Sequence, residues 1–85
     1  METERHSFVA ECFWPGVQKE DVRALDERVR SLLDDGVVYR GSMLIRKDEV
    51  VLCEFEGTLA AVRSLAERAA VPFERLLETS RGEEG

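Results

Sequence analysis

The sequence predicts a single α+β domain in which four strands and two helices follow the order β-α-β-β-α-β. Two observations support this fold class. Four runs are rich in aromatic and β-branched residues, and two segments between them repeat apolar residues at helical spacing. The 85 residues, 44% of them hydrophobic, suffice for one small domain. We expect this domain to cover 1–85, with a core within 6–79 and a polar tail at 80–85.

The first strand is predicted at 6–14, HSFVAECFW, and Pro15 and Gly16 end it. A helix is expected within 17–36, because apolar residues return there at spacings of 3, 4, 3 and 1 and Gly36 offers a stop. The helical stripe consists of Val22, Leu25, Val29, Leu32 and Leu33.

A short hairpin follows the helix. Its strands are VVYRGSMLI at 37–45 and EVVLCEFEG at 49–57, and the polar residues 46–48 join them. Gly41, inside the first of these strands, indicates a bulge or a close approach of another backbone.

A second helix and a last strand complete the domain. Thr58 is a favourable N-cap for the helix LAAVRSLAERAA at 59–70, and Pro72 follows its end. The last strand is predicted within PFERLLETS, 72–80. Right-handed crossovers would then place both helices on one face of a four-stranded antiparallel sheet, with the first and third strands central. This is the ferredoxin-like arrangement.

Alternation along each strand divides the predicted sheet into a helix side and an open face. The helix side is expected to contain Phe8, Ala10, Cys12, Trp14, Val51, Cys53 and Phe55. The open face is expected to combine Val9, Phe13, Leu44, Leu52 and Leu76 with Glu11, Arg40, Ser42 and Glu54. A bulge at Gly41 would reverse the alternation partway along the second strand.

The apolar part of this open face is larger than a soluble monomer usually exposes. A chain of this length also buries only about 60–65% of its unfolded surface, which limits the stability of a monomer. A second copy laid sheet to sheet would cover the face. We therefore expect a homodimer of the dimeric α/β-barrel type.

The charged and polar residues of the open face would border a pocket between the two sheets. The candidate ligand-binding residues are Glu11, Phe13, Arg40, Ser42 and Glu54. A carboxylate at such an interface must find a partner or its pKa rises, because an unpaired buried charge is costly. Two alternatives follow. Glu11 and Glu54 would act together as a general base or a hard-cation site, or each would pair with Arg40 or Arg75.

Composition argues against several classes of function. The net charge is −6 and the charges are spread along the chain, so nucleic-acid binding is not expected. The apolar runs are too short for a membrane span, and the start METERHS lacks the apolar core of a signal peptide, which favours a cytoplasmic protein. The chain contains neither a phosphate-binding loop nor a dinucleotide fingerprint, and no cofactor or metal is expected.

The single histidine and the two cysteines each allow two interpretations. His6 would act as an acid or base near neutral pH, or would be an exposed strand-end residue without a role. Cys12 and Cys53 would be inert buried thiols or a redox or metal-binding pair, although no C-x-x-C spacing supports the pair.

Several residues are shared with a known family. Glu11 and the run 14–16, Trp-Pro-Gly, match an acidic residue and an aromatic-Pro-Gly ending on the family's first strand. The run 55–57 matches a second motif loosely, and 70–72, Ala-Val-Pro, stands where Gly-x-Pro is usual. On these residues, 6–79 resembles the small ferredoxin-like family catalogued as domain of unknown function 4242.

The resemblance implies a dimer with a ferredoxin-like protomer and, for most members, no assigned activity. One branch of the family looks like a nickel-binding protein that uses histidines on the first strand and around the second helix. In this chain Cys12 and Phe13 occupy the first of those places and 67–69, Glu-Arg-Ala, the second.

Three hypotheses of function result. The first is a homodimeric binding or accessory protein with a small-ligand pocket at the sheet-to-sheet interface. The alternative is a cofactor-independent dimeric α/β-barrel enzyme, of isomerase, cyclase or monooxygenase type, with Glu11 or Glu54 as the base. The second alternative is a nickel-binding protein.

Overall fold

The six elements of the fold occur in the predicted order. A computed structural model describes residues 5–34 and 36–80, so the predicted polar tail lies, apart from Ser80, outside the described residues. The elements are β1 (His6–Phe13), α1 (Lys19–Ser31), β2 (Val37–Ile45), β3 (Val50–Gly57), α2 (Leu59–Arg68) and β4 (Arg75–Thr79). They form an α+β structure consistent with the ferredoxin-like arrangement.

The four strands form one antiparallel sheet in the order β2-β3-β1-β4. The prediction that the first and third strands are central is therefore confirmed. No helix within the described ranges has both the length and the apolar character that a membrane crossing requires.

Each helix begins at a cap that its sequence supplies. The backbone N–H of Gln18 donates to the Asp21 carboxylate over 2.8 Å at the start of α1. The hydroxyl of Thr58 accepts a hydrogen bond from the Ala61 N–H over 3.1 Å, which confirms Thr58 as the N-cap of α2. A side-chain oxygen at this position satisfies one of the N–H groups that a helix start leaves without a partner.

Both helices are shorter than the apolar pattern predicted. Helix α1 ends before Leu32 and Leu33, which are exposed. Helix α2 ends at Arg68, and Ala70 beyond it has a φ of +58°. The Arg28 side chain donates to the carbonyls of Ala69 and Ala70, so a residue of α1 satisfies carbonyls at the end of α2.

The core lies between the sheet and the two helices. The predicted helix-side residues of β1 and β3 are buried there: Phe8, Ala10, Cys12, Val51, Cys53 and Phe55. Leu25 and Val29 of α1 and Val62, Leu65 and Ala66 of α2 pack onto them. Trp14 is only partly buried and packs at the margin of this core.

A β-bulge in β2 changes the direction of the side chains that follow it. Tyr39 pairs with Phe55 and Gly41 pairs with Glu54, so Arg40 is an extra residue, and Gly41 has a φ of +113°. The bulge expected at Gly41 is thus present. Beyond it Ser42 pairs with Cys53 on the helix side and Met43 pairs with Leu52 on the open face.

Two face assignments in β2 and one in β4 were therefore wrong. Ser42 and Leu44 lie on the helix side, because the extra residue at the bulge reverses the alternation. In β4 the register with β1 pairs Leu76 with Ala10, and Leu76 packs against the core. Leu77 pairs with Val9 and takes the place on the open face that was predicted for Leu76.

Asp26 of α1 holds the bulge from the helix side. Its carboxylate accepts the Tyr39 hydroxyl over 2.5 Å and the Ser42 hydroxyl over 3.0 Å. One carboxylate thus binds the residue before the bulge and the residue after it. The Arg30 guanidinium lies 5.1 Å from the centre of the Tyr39 ring and adds a cation–π contact beside this pair of hydrogen bonds.

Replacing Asp26 tests whether this carboxylate fixes the bulge. We expect Asp26→Ala to lower the free energy of unfolding by about 2–4 kcal/mol, because two hydrogen bonds to a charged group are lost and two hydroxyls lose their acceptor. Amide hydrogen exchange should become faster at Gly41 and Ser42. The neighbouring exposed residue provides the control, since Glu27→Ala should change stability by less than about 0.5 kcal/mol. Equal stability of the two variants in a denaturant titration would contradict this role.

Candidate functional site

The open face carries exposed apolar side chains on β1, β2 and β4. Phe13 is 52% exposed on β1, Met43 62% and Val38 43% on β2, and Leu77 38% on β4. Val9 and Leu52, at the centre of the face, are half-buried. The mixed apolar and charged character that was predicted for this face is therefore present, with Met43 and Leu77 in place of Leu44 and Leu76.

Two adjoining concavities lie on this face, and we refer to them together as the open-face cavity. The polar half, of about 440 Å³, is bordered by Ser7, Arg40, Glu54, Glu56, Thr79 and Ser80. The apolar half, of about 390 Å³, is bordered by Val9, Arg40, Gly41, Ser42, Met43, Leu52, Glu54 and Thr79. Arg40, Glu54 and Thr79 belong to both halves, so the cavity is polar at one end and apolar at the other.

The five predicted pocket residues are not all brought together. Arg40 and Glu54 border both halves of the cavity. Glu11 and Phe13 lie on the same face but farther along β1, and neither lines the cavity. Ser42 borders the apolar half, but its hydroxyl is directed to Asp26 on the helix side.

Sequence analysis missed Thr79 and Met43 as cavity residues. The position of Thr79 depends on the register between β1 and β4, which pairs it with Ser7. The position of Met43 depends on the bulge. Gly41, inside β2, was the signal in the sequence that indicated the bulge and so the position of Met43.

Most charges of the open face are paired within the chain. The guanidinium of Arg75 on β4 binds Glu11 on β1 at 2.8 Å. The guanidinium of Arg40 on β2 binds Glu56 on β3 at 2.5 Å. The cross-strand alternative is therefore the one observed for Glu11, whereas Arg40 selects Glu56 rather than Glu11 or Glu54.

Glu54 differs from these residues, because no hydrogen-bond or ion-pair partner for its carboxylate occurs in the described part of the chain. Its neighbours across the sheet are Val9 on β1 and Gly41 on β2, which offer no charge. Glu11 pairs with Leu52, so it lies diagonally across from Glu54, and Arg75 already binds it. Among the described residues of the open face, Glu54 is thus the carboxylate that no arginine neutralises.

The two cysteines lie in the core rather than at this site. Cys12 and Cys53 are free thiols with no exposed surface. A hydrogen bond with Cys53, together with burial, raises the pKa of the Cys12 thiol. A protonated, fully buried thiol is a poor nucleophile, which agrees with the inert interpretation of Cys12.

His6 lies at the start of β1 and does not border the cavity. Its Nδ1 atom is 2.9 Å from the Glu78 carboxylate, and its ring packs edge-on against Phe8 with the centres 6.3 Å apart. Within 5–34 and 36–80, no group of three or more histidine, cysteine, aspartate or glutamate side chains is placed to hold a metal ion.

Comparisons with protein-family models, curated proteins and solved structures find no match to this chain. The resemblance drawn from the sequence therefore stays a prediction, and the arguments on function rest on the geometry of the open face.

Ionisation of the Tyr39 hydroxyl tests whether this side chain is buried and bound to Asp26 on the helix side of the bulge. Burial, and then the hydrogen bond to Asp26, raise the pKa of this phenol above its ordinary value near 10. The resulting stabilisation is present below about pH 10 and is lost above it, by about 1.4 kcal/mol per pH unit, because the unfolded chain loses the phenol proton first.

Tyr39 is the only tyrosine, so tyrosinate absorbance reports on it alone. We expect no ionisation in the native protein near pH 11 and ordinary ionisation in guanidinium chloride. Tyr39→Phe should reduce the alkaline loss of stability. A tyrosinate midpoint near pH 10 in the native protein would contradict the burial and the hydrogen bond.

Proposed function

We propose that the protein is a homodimer whose two open faces pack against each other and enclose a small-ligand site between them. The observation that carries this proposal is the open face itself. It combines exposed Phe13, Met43 and Leu77 with a cavity that is bordered by residues of all four strands. Helices cover the other face of the sheet, so the open face is the side that lacks a second layer.

The apolar residues and the ion pairs of this face suit a second copy of the chain. In a two-fold assembly the same patch serves both copies, so apolar residues on one face meet apolar residues on the other. The ion pairs Glu11–Arg75 and Arg40–Glu56 are each neutral as a unit, and they oppose this approach little. Sheets packed face to face lie about 10 Å apart, which leaves space where side chains are small.

The open-face cavity is suited to a small molecule rather than to a macromolecule. Its halves, about 440 and 390 Å³, fall within the usual range of small-ligand pockets, about 300–1,000 Å³. Its apolar floor of Val9, Met43 and Leu52 is joined to a few polar groups, as ligand pockets usually are. We propose that binding or accessory function resides here.

Cofactor-independent catalysis is the second candidate, and the free carboxylate of Glu54 favours it. A carboxylate that lacks an arginine partner and borders a cavity is placed to accept a proton from a bound substrate. Glu11 is less suited, since Arg75 already binds it. With a substrate in hand, Glu54→Gln should lower kcat by at least about a hundredfold and change KM little. A variant with full turnover would exclude Glu54 as the base.

The dimer is tested by a charge placed at the centre of the open face. We expect the unmodified protein to sediment as a dimer, and Leu52→Glu to weaken the dimer by at least about a hundredfold, because a carboxylate would be buried there without a partner. Leu59 is 49% exposed at the start of α2 and provides the control.

Leu59→Glu should leave the dimer unchanged, since it places the same charge on the helix side. Sedimentation equilibrium over a range of concentrations measures both variants. A monomeric unmodified protein would contradict the proposal, as would a dimer that Leu59→Glu disrupts and Leu52→Glu does not.

A further inference from the structure

We infer that the open-face cavity binds a small organic cation, with an ammonium or amidinium group at Glu54 and a short apolar body over Leu52 and Met43. The inference deepens the proposed function and rests on it for the burial of the site between two copies. The inference concerns the chemical class of the ligand. The distribution of charge within the cavity supports it.

Among the described residues that border it, the cavity holds one carboxylate in excess. Arg40 and Glu56 border the polar half and bind each other at 2.5 Å, so together they contribute no net charge. Glu54 remains without a partner among the described residues. An anionic ligand would have to displace Glu56 from Arg40, whereas a cationic ligand would find Glu54 unoccupied.

The shape of the cavity places a cationic group and an apolar body at different ends. Glu54 lies at the boundary, because it borders both the polar and the apolar half. On the polar side Ser7 and Thr79 offer hydroxyl oxygens that can accept hydrogen bonds from an ammonium group. On the apolar side Val9, Met43 and Leu52 offer contact to a hydrocarbon chain or ring.

Gly41 is the residue of β2 that pairs with Glu54, and both residues border the apolar half of the cavity. Arg40, the extra residue of the bulge, is bound to Glu56. The bulge therefore directs the Arg40 guanidinium to Glu56, and the Glu54 carboxylate stays free of that arginine.

Dimerisation makes a cation more favourable still. The second open face brings a second Glu54, while Arg40 and Arg75 are already paired. Its described residues therefore add negative charge and no free cation. A carboxylate that is covered without a partner is costly, and a bound ammonium group removes that cost. A ligand that binds only the assembled site also stabilises the assembly.

The experiment follows the methyl group of Met43 by nuclear magnetic resonance during titration with three probes of one chain length. The probes are n-hexylammonium, n-hexanol and n-hexanoate, and a Met43→Leu variant assigns the signal. We expect a saturable shift with n-hexylammonium and at least tenfold weaker binding of the other two. Ammonium chloride at the same concentration should leave the signal unchanged.

Two matched variants locate the charge that is responsible. Glu54→Gln should weaken n-hexylammonium binding at least tenfold. Glu27→Gln removes the same charge from the exposed side of α1 and should leave binding unchanged. Equal loss in both variants would show that net charge, not Glu54, attracts the probe, and would overturn the inference.

Other outcomes separate this inference from the proposed dimer. Tighter binding of n-hexanoate that is lost in Arg40→Gln, or equal binding of n-hexanol, would overturn the cationic class and leave the dimer standing. No saturable shift with any probe in a protein that sediments as a dimer would do the same. A monomer that binds n-hexylammonium through Glu54 would support the ligand class and overturn the dimer.

Discussion

The carboxylate of Asp26 is the group on which the geometry of the open face depends. By accepting hydroxyl hydrogen bonds from Tyr39 and Ser42, it holds both sides of the bulge in β2 against α1. The bulge inserts Arg40 as an extra residue and reverses the alternation beyond it. Without that reversal Ser42 and Leu44 would face outward, and Met43 would turn into the core. One helix residue thus binds both sides of the bulge that sets which side chains of an edge strand face outward.

The consequences for charge follow from the same bulge. Arg40 lies where it can bind Glu56, and Gly41 stands opposite Glu54. Glu54 therefore keeps a free carboxylate on a central strand, between apolar neighbours and beside a cavity. The sequence poses the question of why a strand with alternating buried residues, EVVLCEFEG, also carries acids. The two acids have different roles. Glu56 belongs to an ion pair, and Glu54 is the residue that we propose for ligand recognition.

Much of the fold could be predicted, because strong local signals coincide in this chain. The order of elements, the central pair of strands, the Thr58 cap and the buried set on β1 and β3 follow from alternation and from caps. The site was harder to predict, since it depends on register. Whether Leu76 or Leu77 faces outward depends on pairing with β1, and the position of Ser42 depends on whether Gly41 adds a residue to the strand. The ion-pair partner of Arg40 could not be predicted either, because Arg40 binds Glu56 only when the bulge directs it there.

A crystal structure of the purified protein, inspected for the neighbour of the open face, tests the central claim most directly. We expect two open faces related by a two-fold axis, with Leu52 and Met43 in the interface and an enclosed space that both Glu54 carboxylates border. Density for a bound molecule in that space would show the ligand itself. An open face that contacts only solvent, or that packs on the helices of another copy, would contradict the account.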